Sequence, residues 1–165
     1  MARKERISKG KTMSPNYYII VQKTLLNITP ALIERCKAVY VQTKNDHTYL
    51  MYDLDVTTML ERLQKVAGAV LLCSNPCFEL WLLLHYAEQK SELKSDECLS
   101  KRIGFEKQYK KGVLTENMKR HLVETKDAAI ERAQKLVAYG NPSTMVYRLI
   151  EDLDKLKQEQ EEKNL

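Results

Sequence analysis

The sequence predicts an α/β fold with a mainly parallel sheet flanked by helices, followed by a C-terminal helical region. Up to residue 86, short apolar runs rich in β-branched and aromatic residues alternate with stretches in which apolar residues recur at helical spacing. Consecutive strands joined through helices are typical of parallel sheets with crossover connections. From residue 87 onward the patterns are mainly helical.

The strands of the α/β part are predicted from four short apolar runs, at residues 17–21, 38–41, 48–52 and 69–73. A helix is predicted after Thr29, which is a suitable N-cap, with Pro30 in its first position. Two further helices are predicted at residues 56–65 and 78–86, the second with Asn75 and Pro76 at its N-cap and first turn.

The C-terminal part is predicted to contain helices at residues 92–102, 115–121 and 126–138, with an irregular basic segment at 104–112. Ser143 or Thr144 is predicted to cap a last helix. Three parts are predicted along the chain. Residues 1–13 form a basic disordered arm, and residues 158–165 form a flexible tail. Between them, residues 14–157 form a single domain with an α/β core at 14–86 and a helical part at 87–157.

Composition predicts a cytoplasmic globular protein with no membrane partner. The 165 residues fit one domain, and 44% hydrophobic and 30% charged residues are ordinary values for a chain with a real core. No apolar run approaches the roughly 20 residues needed to span a bilayer, and the N-terminus lacks the apolar segment of a signal peptide. The four cysteines have no zinc-finger spacing, so we interpret them as reduced core thiols.

The net charge of +5 is unevenly distributed and predicts contact with nucleic acid. Two groups of cations are candidates for this contact. The first lies in the N-terminal arm and consists of Arg3, Lys4 and Arg6. The second surrounds Phe105 and Tyr109 and consists of Lys101, Arg102, Lys107, Lys110 and Lys111. Cations interleaved with aromatic side chains can follow a phosphate backbone and stack on bases. The alternatives are a solvated tail and an ordinary exposed surface.

Three acids predict a metal site that would also be catalytic. Asp53 and Asp55 end a predicted strand, and Glu79 begins a helix inside the almost wholly apolar run 74–86. In parallel sheets ligands gather beyond the carboxyl ends of the strands, where Ser74 and Asn75 also lie, and Mg²⁺ prefers such oxygen ligands. The alternative is structural, with Asp55 capping the next helix near Thr57 and Thr58 and Glu79 stabilised by its helix dipole.

His85 shares a helix face with Phe78 and Trp81, seven and four residues away. This spacing favours a packed, hydrogen-bonded core histidine over a metal ligand, so we predict that it supports the site from within the core.

The run Ser-Asn-Pro-Cys-Phe-Glu-Leu-Trp-Leu-Leu-Leu-His-Tyr at residues 74–86 resembles the signature of RloB-like proteins. The resemblance extends to the Asp53-Leu54-Asp55 strand end, to the alanine-rich segment 128–133 and to the block 141–147, and so covers roughly residues 48–156. It implies a Toprim-like fold, a Mg²⁺-dependent nuclease activity and a role in bacterial anti-phage defence (abortive infection or restriction loci), often with an ATPase encoded nearby.

The chain departs from the family pattern after the first predicted strand. Gln22 stands where the family has a glutamate, Lys23 replaces a glycine, and Asn27 stands where a second acid is expected. Amides keep the shape of these side chains but lose the charge, which weakens metal affinity and proton transfer. Three hypotheses therefore stay open: a nuclease acting on DNA or RNA, a non-catalytic subunit that binds nucleic acid or a partner, and an interaction protein whose acids are caps.

Overall fold

The computed structural model describes residues 29–38, 46–56 and 58–163. The predicted strand at residues 17–21 and most of the one at 38–41 lie outside these ranges; Ala38 itself is the C-cap of helix α1 (Pro30–Lys37) and has a helical backbone conformation. Helix α1 begins as predicted. The Thr29 hydroxyl accepts a hydrogen bond from the Leu32 amide at 3.2 Å, which satisfies one of the free amides of the first turn.

A two-stranded parallel sheet forms the described part of the α/β core. Strand β1 (Thr48–Leu50) pairs with β2 (Ala69–Leu71), and helix α2 (Met59–Gln64) lies between them in the chain. The ladder continues past both strands, because the Ser74 amide donates to the Tyr52 carbonyl at 3.0 Å and Ser74 accepts from the Leu54 amide at 2.8 Å. The predicted α/β class and the parallel pairing are confirmed for this region.

A second, antiparallel pair joins Ser74–Asn75 (β3) to Ser143–Thr144 (β4). The hydroxyls of Ser74 and Thr144 are buried and lie 2.8 Å apart. The prediction that Asn75 caps the following helix is therefore wrong, and Ser143 does not cap the last helix either. The Thr144 hydroxyl, however, accepts from the Val146 amide at 3.4 Å directly before the last helix, as predicted for a cap. These residues have short polar side chains that suit helix caps and turns, but here their backbones pair with each other across 70 residues of chain.

Five more helices complete the described part of the chain. They are α3 (Glu79–Leu84), α4 (Ser95–Phe105), α5 (Glu116–Glu124), α6 (Lys126–Gln134) and α7 (Tyr147–Lys163). Thr115 caps α5, since its hydroxyl accepts from the Met118 amide at 3.3 Å. Helix α7 is continuous to Lys163, so residues 158–163, where a flexible tail was predicted, are helical. The domain boundary at residue 157 stays a prediction.

Helix α3 is the centre of the larger apolar cluster. Each of its residues is buried, and it packs against α4 and α6, with Leu93, Met118, Ala129 and Val146 completing the cluster. A helix that is apolar all round can only be stable when covered on every side. Glu79 is the one charged residue of this helix, so the fold carries its carboxylate into the interior. In the described ranges, no helix combines the length and apolarity needed to cross a membrane.

Candidate metal centre

Asp53 lies just past the carboxyl end of β1, beside Ser74 in the extended parallel ladder. Its Oδ1 atom accepts a hydrogen bond from the Phe78 amide at 2.8 Å. Phe78 immediately precedes α3, so this bond connects the end of the strand to the beginning of the helix. It uses one carboxylate oxygen of Asp53 and fixes the orientation of the other.

Four charged groups meet around Asp53. Burial raises the pKa of the Asp53 carboxyl, while the Phe78 amide and the Lys111 charge lower it, and the charges of Glu79 and Asp55 raise it again. Glu79 and Asp55 are therefore each close enough to Asp53 to interact with it electrostatically. Such mutual repulsion is relieved when a cation binds between carboxylates.

Asp55 is exposed and makes no hydrogen bond or ion pair within the described part of the chain. In the alternative interpretation, Asp55 caps the helix near Thr57 and Thr58. No hydrogen bond joins Asp55 to the Thr58 amide, and Thr57 lies outside the described residues.

Glu79 is 2% exposed and has one unsatisfied oxygen. Its Oε1 atom accepts from the Tyr109 hydroxyl at 3.2 Å. Its Oε2 atom lies 3.7 Å from the Lys111 ammonium, beyond hydrogen-bonding distance, and is buried without a hydrogen-bond partner among the described residues. Buried carboxylate oxygens are nearly always hydrogen-bonded, so Oε2, which is ion-paired with the exposed Lys111 ammonium, can still accept a donor or a cation.

The donor set fits Mg²⁺ in ligand type. Asp53, Asp55 and Glu79 offer only hard oxygen atoms, and Mg²⁺ commonly takes one or two carboxylates and keeps several waters. Over residues 29–38, 46–56 and 58–163, no three acidic, histidine or cysteine side chains are close enough together to form a ready-made metal site. Gln22 and Asn27, which the family resemblance places at this site, lie outside those ranges.

Ser74 and Asn75 hold the backbone beside the acids. Ser74 bonds through its amide and carbonyl to the residues on either side of Asp53, and through its hydroxyl to Thr144. The Asn75 amide group donates to the Tyr139 carbonyl at 3.2 Å, and Tyr139 has a positive φ of 62°. Both residues therefore stabilise the loop that places Asp53 next to Phe78, and neither touches the carboxylates directly.

His85 lies at the opposite end of α3 from Glu79 and packs edge-on against Trp81, with ring centroids 4.8 Å apart. Its Nδ1 atom is 2.8 Å from the Thr125 hydroxyl, which itself donates to the His121 carbonyl at 2.7 Å. Because that hydroxyl has only one proton, it must accept from His85, so Nδ1 carries the proton. The predicted hydrogen-bonded core histidine is confirmed, and it anchors α3 at a distance from the acids.

Stability should fall as the pH drops from about 6.5 to about 4, because of His85. Burial, then the charges of His121, Arg102 and Arg132, lower its pKa from 6.5 to about 4, so between these values the unfolded chain binds a proton that the folded chain rejects. The loss should reach about 3 kcal/mol. Urea unfolding between pH 4 and 7.5 measures it, and His85→Gln should flatten the profile; an unchanged profile in this variant would assign the pH dependence to other groups.

The members of the predicted basic cluster differ in their exposure to solvent. Lys101, Lys107, Lys110 and Lys111 are exposed, but Arg102 is 0% exposed and cannot contact nucleic acid from that position. That part of the prediction is wrong, because the Arg102 guanidinium packs between the rings of Tyr86 and Tyr109. The N-terminal cations Arg3, Lys4 and Arg6 lie outside the described residues.

Tyr109 and Lys111 are site residues that sequence reasoning assigned only to a nucleic-acid surface. They approach Glu79 from a loop 30 residues further along the chain. No local pattern marks a tyrosine or lysine as the partner of a distant glutamate. The buried glutamate itself was the available signal, because it required a partner of this kind somewhere in the chain.

Comparison with known proteins gives one match. A family model described as RloB-like protein matches residues 3–153, which is most of the chain. No curated protein and no solved structure matches significantly.

Proposed function

The chain belongs to the RloB-like family, and on that premise we propose that it is a Mg²⁺-dependent nuclease of bacterial phage defence with a Toprim-like core. The observation that supports this most directly is the buried Oε2 atom of Glu79, which has no hydrogen-bond donor among the described residues, is ion-paired with Lys111 at 3.7 Å, and belongs to a carboxylate whose charge acts on Asp53. The position of Asp53 past the carboxyl end of a parallel strand is where such folds place ligands.

In this proposal Asp53, Asp55 and Glu79 hold the metal. Bound Mg²⁺ supplies an activated water and stabilises charge on a phosphodiester. The Phe78 amide keeps Asp53 in place, which limits the reorganisation needed on binding. The Lys111 side chain is 66% exposed and reaches the same cluster, so its ammonium can attract a phosphate to the acids.

The exposed part of the basic cluster supports a nucleic-acid substrate. Lys101 and Phe105 lie one helical turn apart on α4 and line a cleft of about 400 Å³ together with Gly104. Phe105 is 51% exposed, and its ring stacks on Tyr86 at 5.3 Å. An exposed ring beside lysines suits unpaired bases and their backbone in either DNA or RNA.

A second candidate function is a non-catalytic subunit that binds nucleic acid or the ATPase partner of a defence system. The observation that favours it is Gln22, at a position where the family resemblance implies a glutamate. Glutamine cannot act as a general base and binds Mg²⁺ more weakly than glutamate does. In this case the acids would still bind a cation without turning over substrate.

The test measures cleavage by the full chain of labelled single- and double-stranded DNA and RNA, with Mg²⁺ or with EDTA. We expect Mg²⁺-dependent cleavage that the Asp53→Asn/Asp55→Asn variant loses by at least about 100-fold. Asp127→Asn, which removes an exposed acid at the beginning of α6, is the matched control and should cleave normally.

Salt-sensitive binding without cleavage would favour the second function, and activity gained on Gln22→Glu would identify the missing group. If the wild-type chain neither cleaves nucleic acid nor binds it in a salt-sensitive way, a direct action on nucleic acid is excluded.

A further inference from the structure

Arg102 is a fully buried cation with no conventional partner. It is 0% exposed, and none of its three guanidinium nitrogens has a hydrogen-bond partner among the described residues. Its guanidinium carbon lies 4.6 Å from the centre of the Tyr86 ring and 4.7 Å from that of Tyr109. Aromatic faces attract a cation, but two such contacts alone rarely offset the full burial of a charge.

Tyr109 connects this buried cation to the buried carboxylate. One face of its ring contacts Arg102, and its hydroxyl donates to Glu79 Oε1 at 3.2 Å. All three side chains are buried, so a positive charge over the ring of Tyr109 and a negative charge at its hydroxyl lie in a water-poor interior. In such surroundings opposite charges interact far more strongly than at the surface.

The contact with Tyr109 also decides which oxygen of Glu79 is free. Because Oε1 accepts from the Tyr109 hydroxyl, the carboxylate cannot rotate without losing that hydrogen bond. Oε2 is then the atom that faces Lys111. The Glu79 carboxylate also interacts electrostatically with Asp53. The orientation of Glu79 is thus set from within the protein core.

We propose that Tyr109 and Arg102 are positioning residues, which hold the Glu79 carboxylate so that Oε2 can bind a divalent cation. This inference rests on the proposed function of the acids as metal ligands. Groups behind a metal ligand that fix its orientation commonly change metal affinity by 10- to 100-fold, roughly, when they are removed. Arg102 acts through Tyr109, and neither residue needs to touch the metal or the substrate.

Tyr86 provides an internal control for this proposal. Its ring contacts the same guanidinium, but its hydroxyl donates to Glu106 at 3.3 Å rather than to Glu79. Tyr86→Phe and Tyr109→Phe each remove one phenolic oxygen next to Arg102. Only Tyr109→Phe removes a bond to the proposed ligand.

The test is calorimetric titration of the full chain with Mg²⁺ alone, in the absence of nucleic acid. We expect Tyr109→Phe to weaken Mg²⁺ binding by about tenfold and Tyr86→Phe to leave it unchanged. Thermal melting of each variant checks that the fold is retained. A structural role alone would move the melting temperature and leave the affinity of the folded protein as it was.

The outcomes separate the two proposals. Wild-type binding that is lost in Asp53→Asn/Asp55→Asn but kept in Tyr109→Phe would overturn the positioning role and leave the metal site standing. Equal losses in Tyr109→Phe and Tyr86→Phe would also overturn it, because the Glu79 bond would then not be the cause. A wild-type chain that binds no Mg²⁺, or acid variants that bind it normally, would overturn both.

Discussion

Glu79→Gln is expected to lower Mg²⁺-dependent cleavage by at least about 100-fold while the protein stays folded. Glutamine has the shape of glutamate and can still accept the Tyr109 hydroxyl through its carbonyl oxygen, so packing around α3 should be preserved. It has no negative charge to hold a divalent cation. The free energy of unfolding should change by only about 1 kcal/mol, because removing an incompletely satisfied buried charge also removes its desolvation cost.

Cleavage rate, Mg²⁺ affinity and urea unfolding of the Glu79→Gln protein are the three measurements needed. Glu116→Gln is a matched control, since Glu116 is also the first residue of a helix but is exposed and forms an ion pair with Lys119. Normal cleavage by a folded Glu79→Gln protein would show that the carboxylate is structural. Loss of folding would show that its charge is needed to balance Arg102.

Features that depend on neighbouring residues could be predicted from the sequence. The cap at Thr29 and the strands that contain Thr48–Leu50 and Ala69–Leu71 follow from local residue preferences. The burial of His85 follows from its position in an apolar helix. The position of Asp53 just past the end of a parallel strand could be predicted too.

Features that depend on distant pairing could not be predicted. Ser143 looks like a helix cap until Ser74–Asn75 supplies a strand for it to pair with. Arg102 looks like a surface cation, because it follows Lys101 and precedes further lysines. Its burial depends on two tyrosines brought together from either side of α4, and periodicity contains no information about such a contact.

Arg102→Met should destabilise the protein by about 3 kcal/mol, although methionine fills much of the same space. The substitution removes the contacts of the cation with both tyrosine rings and takes away a buried positive charge that shares Tyr109 with Glu79, whose ion pair with the exposed Lys111 remains. Urea unfolding measures the cost. Lys101→Met, at the exposed neighbouring position, is the control and should change stability by no more than about 0.5 kcal/mol.

The same substitution in a Glu79→Gln background tests whether the two buried charges compensate each other. If they do, Arg102→Met should cost at least about 1 kcal/mol less once the negative charge has been removed, because contacts through the shared Tyr109 are not additive. Additive costs would mean that the tyrosine rings alone accommodate Arg102. The orientation of Glu79 would then depend on the Tyr109 hydroxyl and not on the buried cation behind it.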